Sequence, residues 1–223
     1  MMAWIWSGTS DPMIARLNTL LRHIPVWAVY IVGALPAPVW FYLGVTGGLG
    51  VEPIKALEHE LGRLALQFLV LGLLVTPLRR YAGLNLLRFR RSLGLLAFYY
   101  VCLHLLVWLV LDVQVPQQIW ADILKRPYIS IGMAGFVLMI PLAVTSNNRS
   151  VRRLGAMWRR LHRLVYVIAV LGALHFAMLV KGLQFEPFVY VLFVLLLLMM
   201  RLRIFGFFFG LGVRRPGGVG ESG

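Results

Sequence analysis

Charge is scarce in this chain of 223 residues, and acidic charge scarcest of all: Asp and Glu together number 8, and charged residues of either sign make up 13%. About a quarter of a soluble domain is charged, so the shortage argues against a soluble fold. The single cysteine, Cys102, excludes an internal disulfide, and in its apolar run a thiol of this kind is ordinary packing. Chemistry-bearing motifs are missing too. The chain has no Walker sequence, no G-x-G-x-x-G after a strand, no H-E-x-x-H and no C-x-x-C. The glycine cluster GVTGGLG at 44–50 follows an apolar run, so it reads as a loop or helix end and not as a dinucleotide turn. With no nicotinamide- or flavin-binding domain, any reducing equivalents must come from another molecule. No internal repeat recurs at a fixed period.

What is abundant is apolar surface. Hydrophobic residues make up 60% of the chain and the mean hydropathy is +0.82, a composition that belongs in a bilayer. Six stretches reach the roughly 20 apolar residues that a spanning helix needs, near 25–45, 57–78, 92–112, 128–146, 161–181 and 184–204. They predict an all-α membrane protein, a bundle of six transmembrane helices. Pro36 and Pro38 should kink the first span or split it. The few residues around Lys181, Gly182 and Glu186 should make the last two an antiparallel hairpin. The expected division is an N-terminal cytoplasmic segment at 1–24, the helical domain at 25–204, and a Gly-rich polar tail at 205–223 expected to be disordered. The first residues have no basic stretch ahead of an apolar core and no small-residue cleavage site, so they do not read as a cleaved signal peptide.

The formal net charge of +14 and pI near 11.0 would suggest nucleic acid in a soluble protein. Here the basic residues lie in clusters between spans, where the positive-inside rule accounts for them. Arg79, Arg80, Arg88, Arg90 and Arg91 lie between the second and third stretches, and Arg149, Arg152, Arg153, Arg159, Arg160 and Arg163 between the fourth and fifth, with no acidic residue among either set. Both loops are therefore expected in the cytoplasm. The alternate loops mix Lys55, Lys125, Arg126 and Lys181 with Glu52, Glu58, Asp112, Asp122 and Glu186, so they read as the outer side. An even number of spans places both termini inside.

Ionisable residues within spans are costly and mark function by default. His104 lies mid-way along the third span and His175 beyond the middle of the fifth. At 1.5 Å per residue they stand roughly 18 Å and 21 Å from the inner ends of their helices. One buried histidine is as readily hydrogen-bonded packing as a ligand. Two at one depth, on helices running in the same direction, are what a six-coordinate haem iron takes as axial ligands. Gly94 and Gly172 could leave space for a flat macrocycle, although small residues also serve plain helix packing.

His162 opens the fifth span among Arg159, Arg160 and Arg163. It reads either as an interfacial histidine or as a ligand or propionate partner for a cofactor on the inner side. The position on the third span that would complete a second bis-histidine site is Arg91. His59 and Arg63 share a helix face at the outer start of the second span, either as a solvated helix end or as a site for a quinone or an anion. His23 reads as interfacial.

Four segments carry a family resemblance: ALEHELGRLALQFLVLGLLVTPLRR, RRSLGLLAFYYVCLHLLVWL, LKRPYISIGMAGFVLMIPLAVTSN and RRLGAMWRRLHRLVYVIAVLGALHFAMLVK. In this order and spacing they resemble the haem-binding membrane subunits of bacterial methionine sulfoxide reductase systems, within the ferric reductase-like transmembrane group. The resemblance covers roughly 25–204. It implies b-type haem in the bacterial inner membrane, on His104, His175 and His162. It implies that electrons pass to a periplasmic molybdopterin subunit, MsrP, for repair of oxidised proteins. It further implies FMN, and a cytosolic flavin reductase or the quinone pool as electron donor. The expected role is a redox subunit whose partner carries out the substrate chemistry. A stand-alone transmembrane ferric or quinone reductase and a small proton-coupled transporter or channel are the alternatives.

Overall fold

The structure, a computed structural model, describes residues 12–179 and 184–208. The described residues are helical with no strand. The residues before 12, residues 180–183 with Lys181 and Gly182, and those beyond 208 lie outside them, as do the expectations placed there.

The chain enters through α1 (Pro12–His23), an amphipathic helix that lies against the loop at 82–88. The Asn18 amide donates to the Gly83 carbonyl at 2.9 Å and accepts from the Asn85 N–H at 2.9 Å. The Arg88 guanidinium donates to the Arg22 carbonyl at 2.6 Å, closing the helix end. Next come α2 (Val26–Ala34) and α3 (Pro36–Val45), which together form one apolar stretch of 20 residues. The break falls at Leu35, where Pro36 has no N–H to continue the ladder.

α4 (Pro53–Tyr81) is the axis of the bundle. Its 29 residues extend about 43 Å at 1.5 Å each, more than the ~30 Å hydrocarbon core. Of its most apolar window, 44% is buried inside the protein, against 6% for the α2–α3 stretch. That difference places α4 at the centre and the first span at the rim, where Trp27, Ile31 and Val32 are exposed as a lipid-facing helix requires. A 3₁₀ turn at Leu87–Phe89 leads into α5 (Arg90–Val107), which runs back along α4. α5 widens at its far end into a π-helical turn, Trp108–Val113, and stops at Gln114, whose φ is +60°.

The short amphipathic α6 (Pro116–Lys125) crosses to α7 (Pro127–Val144). α8 (Asn148–Leu154) begins where the Asn147 side chain accepts from the Ser150 N–H at 2.8 Å, and it ends at Gly155, with φ +50°. α9 (Ala156–Leu161) and α10 (Leu164–Leu179) form one apolar stretch interrupted at His162 and Arg163, and α10 packs along α7. α11 (Phe185–Phe208) lies against α10 and α4.

Among the described residues five stretches are long and apolar enough to cross a membrane: Val26–Val45, Pro53–Tyr81, Leu87–Val113, Pro127–Val144 and Ala156–Leu179. The sixth expected span falls on α11. Arg201 fixes that helix to its neighbours: it donates to the Leu73 carbonyl at 2.8 Å, the Thr76 hydroxyl at 3.0 Å and the Tyr166 hydroxyl at 2.7 Å.

Charge divides the molecule in two. Glu52, Glu58, Glu60, Asp112, Asp122 and Glu186, all of the described acidic residues, gather at one end, where Lys55, Arg63 and Arg126 pair with them. Among the described residues the charges at the other end are all basic. There Arg91 donates to Asn148 at 2.8 Å and ties the two arginine-rich loops together.

Candidate functional site: two cavities joined by an apolar septum

α4 with α5 and α7 with α10 form two antiparallel pairs. In register, Gly62 of α4 stands opposite His104 of α5, and Gly132 of α7 stands opposite His175 of α10. Both imidazoles are half-buried and line one cavity of about 330 Å³ opening toward the mixed-charge end. Their ring centres are 6.2 Å apart and their planes 79° apart. The spacing is close to the roughly 6 Å that two in-line metal–imidazole bonds of ~2.0 Å impose.

Each ring is fixed by the same device. The His104 Nδ1–H donates to the Glu58 carbonyl at 2.9 Å, and the His175 Nδ1–H donates to the Tyr128 carbonyl at 2.7 Å. A carbonyl can only accept, so Nδ1 carries the proton and Nε2 keeps its lone pair in both histidines. A neutral imidazole held through one nitrogen by a backbone carbonyl, with the other nitrogen free, is a metal ligand with its supporting hydrogen bond in place. Walls of Leu66, Val101, Phe136 and Ile168, with Gly135 and Gly172 leaving flat space, suit an apolar planar ligand. Lys55, Arg63 and Arg126 at the mouth offer positive charge for its acidic groups. The donor set therefore fits a haem.

His59 and Arg63 both reach this mouth. Arg63 donates to both oxygens of Glu60 at 2.6 Å and approaches Glu186 at 3.5 Å, so its charge is already partly matched. The Glu58 carboxylate lines the same cavity, and its Oε1 is buried without a hydrogen-bond partner among the described residues.

The second cavity, about 610 Å³, lies toward the basic end. His162 lines it, stacked on Trp158 with ring centres 3.9 Å apart. Its Nδ1–H donates to the Trp158 carbonyl at 3.2 Å, which leaves Nε2 on the acceptor side, 3.5 Å from the Ser146 hydroxyl. No second histidine lines this cavity among the described residues; Arg88, Arg90, Arg91, Arg159 and Arg163 do. His23 stays apart from both cavities, its ring bonded to the Thr19 carbonyl of its own helix.

Leu69, Met139 and Ile168 line both cavities, and each is at least 90% buried, so they form an apolar septum. Beside it Phe98, on the basic side, stacks nearly parallel on Phe136 of the paired-histidine side, with centres 6.0 Å and planes 4° apart.

Of the small residues singled out in the sequence, Gly172 lines the paired-histidine cavity and Gly94 the basic one. The glycines that touch the histidines, Gly62 and Gly132, were not legible as such. Their signal is a glycine inside an apolar span, where helix propensity disfavours it by about 1 kcal/mol.

A transmembrane helical fold with paired histidines on a shared cavity defines a class, and sequence comparison reaches the same class. Residues 61–173 match the family described as ferric reductase like transmembrane component, so the chain is a multi-pass membrane protein of that group. Within the group it belongs to the family of protein-methionine-sulfoxide reductase heme-binding subunits, MsrQ. The Rhizobium meliloti member is 55% identical over 189 residues, 84% of this chain and 88% of that protein. The Agrobacterium fabrum member is 52% identical over 178 residues, 79% of this chain and 83% of that protein. The Brucella ovis member is 50% identical over 197 residues, 85% of this chain and 90% of that protein. No solved structure matches the chain.

Proposed function

We propose that this chain is the b-type haem subunit of a methionine sulfoxide reductase system in the bacterial inner membrane, carrying electrons outward to a periplasmic molybdopterin partner, MsrP. One observation carries the reading: His104 and His175 face one cavity at a spacing that suits a single iron, each with Nδ1 held by a carbonyl. The relatives' names, which describe heme-binding subunits of protein-methionine-sulfoxide reductase, support it.

When bound, haem supplies a centre that takes up and gives back one electron. His104 and His175 would hold its iron. The surrounding apolar side chains would exclude water and lower the local dielectric, and Arg126 with Lys55 would balance the propionates. His162 is a candidate ligand for a group in the second cavity. The arginine-rich end faces the cytoplasm by the positive-inside rule, α11 is the sixth span, and the helical domain runs from 25 to 204.

The donor is a cytosolic flavin reductase or quinol. FMN belongs to the proposal through the family resemblance, with Arg88, Arg91 and Arg159 as the cations able to hold its phosphate. A quinone at His59 and Arg63 is proposed on position alone. The family description favours one other reading, a stand-alone ferric reductase.

A reduced-minus-oxidised visible spectrum of the detergent-purified chain, with haem and flavin counted per chain, tests the proposal. A sharp low-spin b-type spectrum is expected. A colourless protein after expression with ample haem overturns it and leaves the transporter or channel reading. Rapid reduction of external iron by vesicles lacking MsrP would favour the ferric reductase.

A further inference from the structure

The two paired histidines share more than a cavity. His104 donates to the carbonyl of Glu58 and His175 to that of Tyr128. In both cases the residue four positions further along the accepting helix is a glycine, Gly62 on α4 and Gly132 on α7. In an α-helix the carbonyl of residue i is bonded by the N–H of residue i+4. Each of these carbonyls therefore serves two donors, the glycine N–H and an imidazole from the next helix, one on each lone pair. The side chain of residue i+4 would occupy the space through which the imidazole approaches. A Cβ on Gly132 would lie 2.8 Å from His175 Nδ1 and 2.9 Å from its Cε1. A Cβ on Gly62 would lie 3.3 Å from His104 Nδ1 and 3.4 Å from its Cε1.

His162 shows why the glycine accompanies only the cross-helix pairs. Its imidazole and its own backbone N–H both bond the Trp158 carbonyl, so the residue at i+4 is the histidine itself and no passage is needed.

We propose that Gly62 and Gly132 are positioning residues: each opens a helix surface so that a neighbouring imidazole can share a helical carbonyl, which fixes that ring's tautomer, its rotation and its strength as an iron donor. The inference rests on the ligand assignment above. The carbonyl bond to Nδ1 makes Nε2 a stronger donor and favours the ferric state. A methyl group at Gly132 must displace His175 and lengthen that bond. At Gly62 a few tenths of an ångström of ring movement suffices.

The test uses the full chain, purified in detergent, with haemin as the probe. Gly132→Ala should weaken haemin binding by roughly ten- to hundred-fold, the usual cost of disturbing a ligand's supporting hydrogen bond. It should also shift the low-spin ferric EPR signal and raise the midpoint potential. Gly62→Ala should move the signal and the potential in the same sense, by less. If Gly132→Ala yields no inserted protein or no haem, Gly62→Ala carries the decision. Glycines that serve helix packing alone would lower the yield of folded protein and leave the remaining haem with the parent EPR signal and potential; that result overturns the proposal. His104→Ala and His175→Ala separate the two layers of inference. Haem retained in both refutes the ligand assignment, whereas haem lost in them alongside parent spectra in the glycine variants refutes only the positioning role.

Discussion

The two cavities of this bundle share a wall but not a chemistry. The one at the mixed-charge end offers two imidazoles with free Nε2 atoms, and every described carboxylate lies at that end. The one at the basic end is larger, about 610 Å³ against about 330 Å³, and has one histidine among several arginines and no carboxylate among its lining residues. The first is equipped to grip a metal from both sides. The second is equipped to hold an anion and can offer a metal only a single imidazole. A membrane helix can place a histidine almost anywhere along its length, but helical rotation and carbonyl pairing decide whether that histidine becomes half of a pair.

Removing either member of the pair should erase the difference, and it is the largest effect expected. His104→Ala or His175→Ala should abolish the low-spin b-type signal and most haem in the paired-histidine cavity, measured as haem per chain in inserted protein. His162→Ala should act on the other cavity only, leaving the paired-histidine low-spin spectrum in place; its disappearance would show that the cavities do not function as separate sites. Arg201→Leu should destabilise the basic half by about 2–3 kcal/mol, since three acceptors lose a charged donor. Thermal unfolding in detergent would register this as a lower midpoint, with the paired-histidine spectrum of the folded fraction unchanged. The smallest effect belongs to the half-buried pair of Arg63 and Glu60. Glu60→Gln should cost about 0.5 kcal/mol, and a large loss of stability there would mean that the Arg63 cluster supports the cavity mouth more than its partial exposure suggests.

Part of this arrangement was legible in the sequence. Pro36 marked the break in the first span, the alternation of basic and mixed loops anticipated the segregation of charge, and equal depth on parallel helices brought His104 next to His175. Rotation was not legible. Spans that are apolar on all sides have no amphipathic stripe to declare which face turns inward, so the glycines opposite the histidines could not be chosen from the others. The π-helical turn at Trp108–Val113 leaves no periodic signature in so apolar a segment. The bonds from Arg201 to Leu73 and Thr76 join residues more than a hundred positions apart, beyond any local pattern. His162 lies one turn after Trp158, its N–H on the Trp158 carbonyl, at the point where one apolar stretch breaks into two helices.

The septum of Leu69, Met139 and Ile168 has a consequence for membrane energetics. Electrons tunnel through packed hydrocarbon, whereas protons and ions need water or polar groups to carry them, and the three buried side chains of this partition are all apolar. An electron that crosses from the basic cavity to the other would do so without a companion proton, leaving positive charge behind and moving negative charge across the low-dielectric layer. Delivery of electrons through such a wall would be electrogenic, so the membrane voltage would bear on its rate: a potential negative on the basic side would help drive each transfer toward the paired histidines.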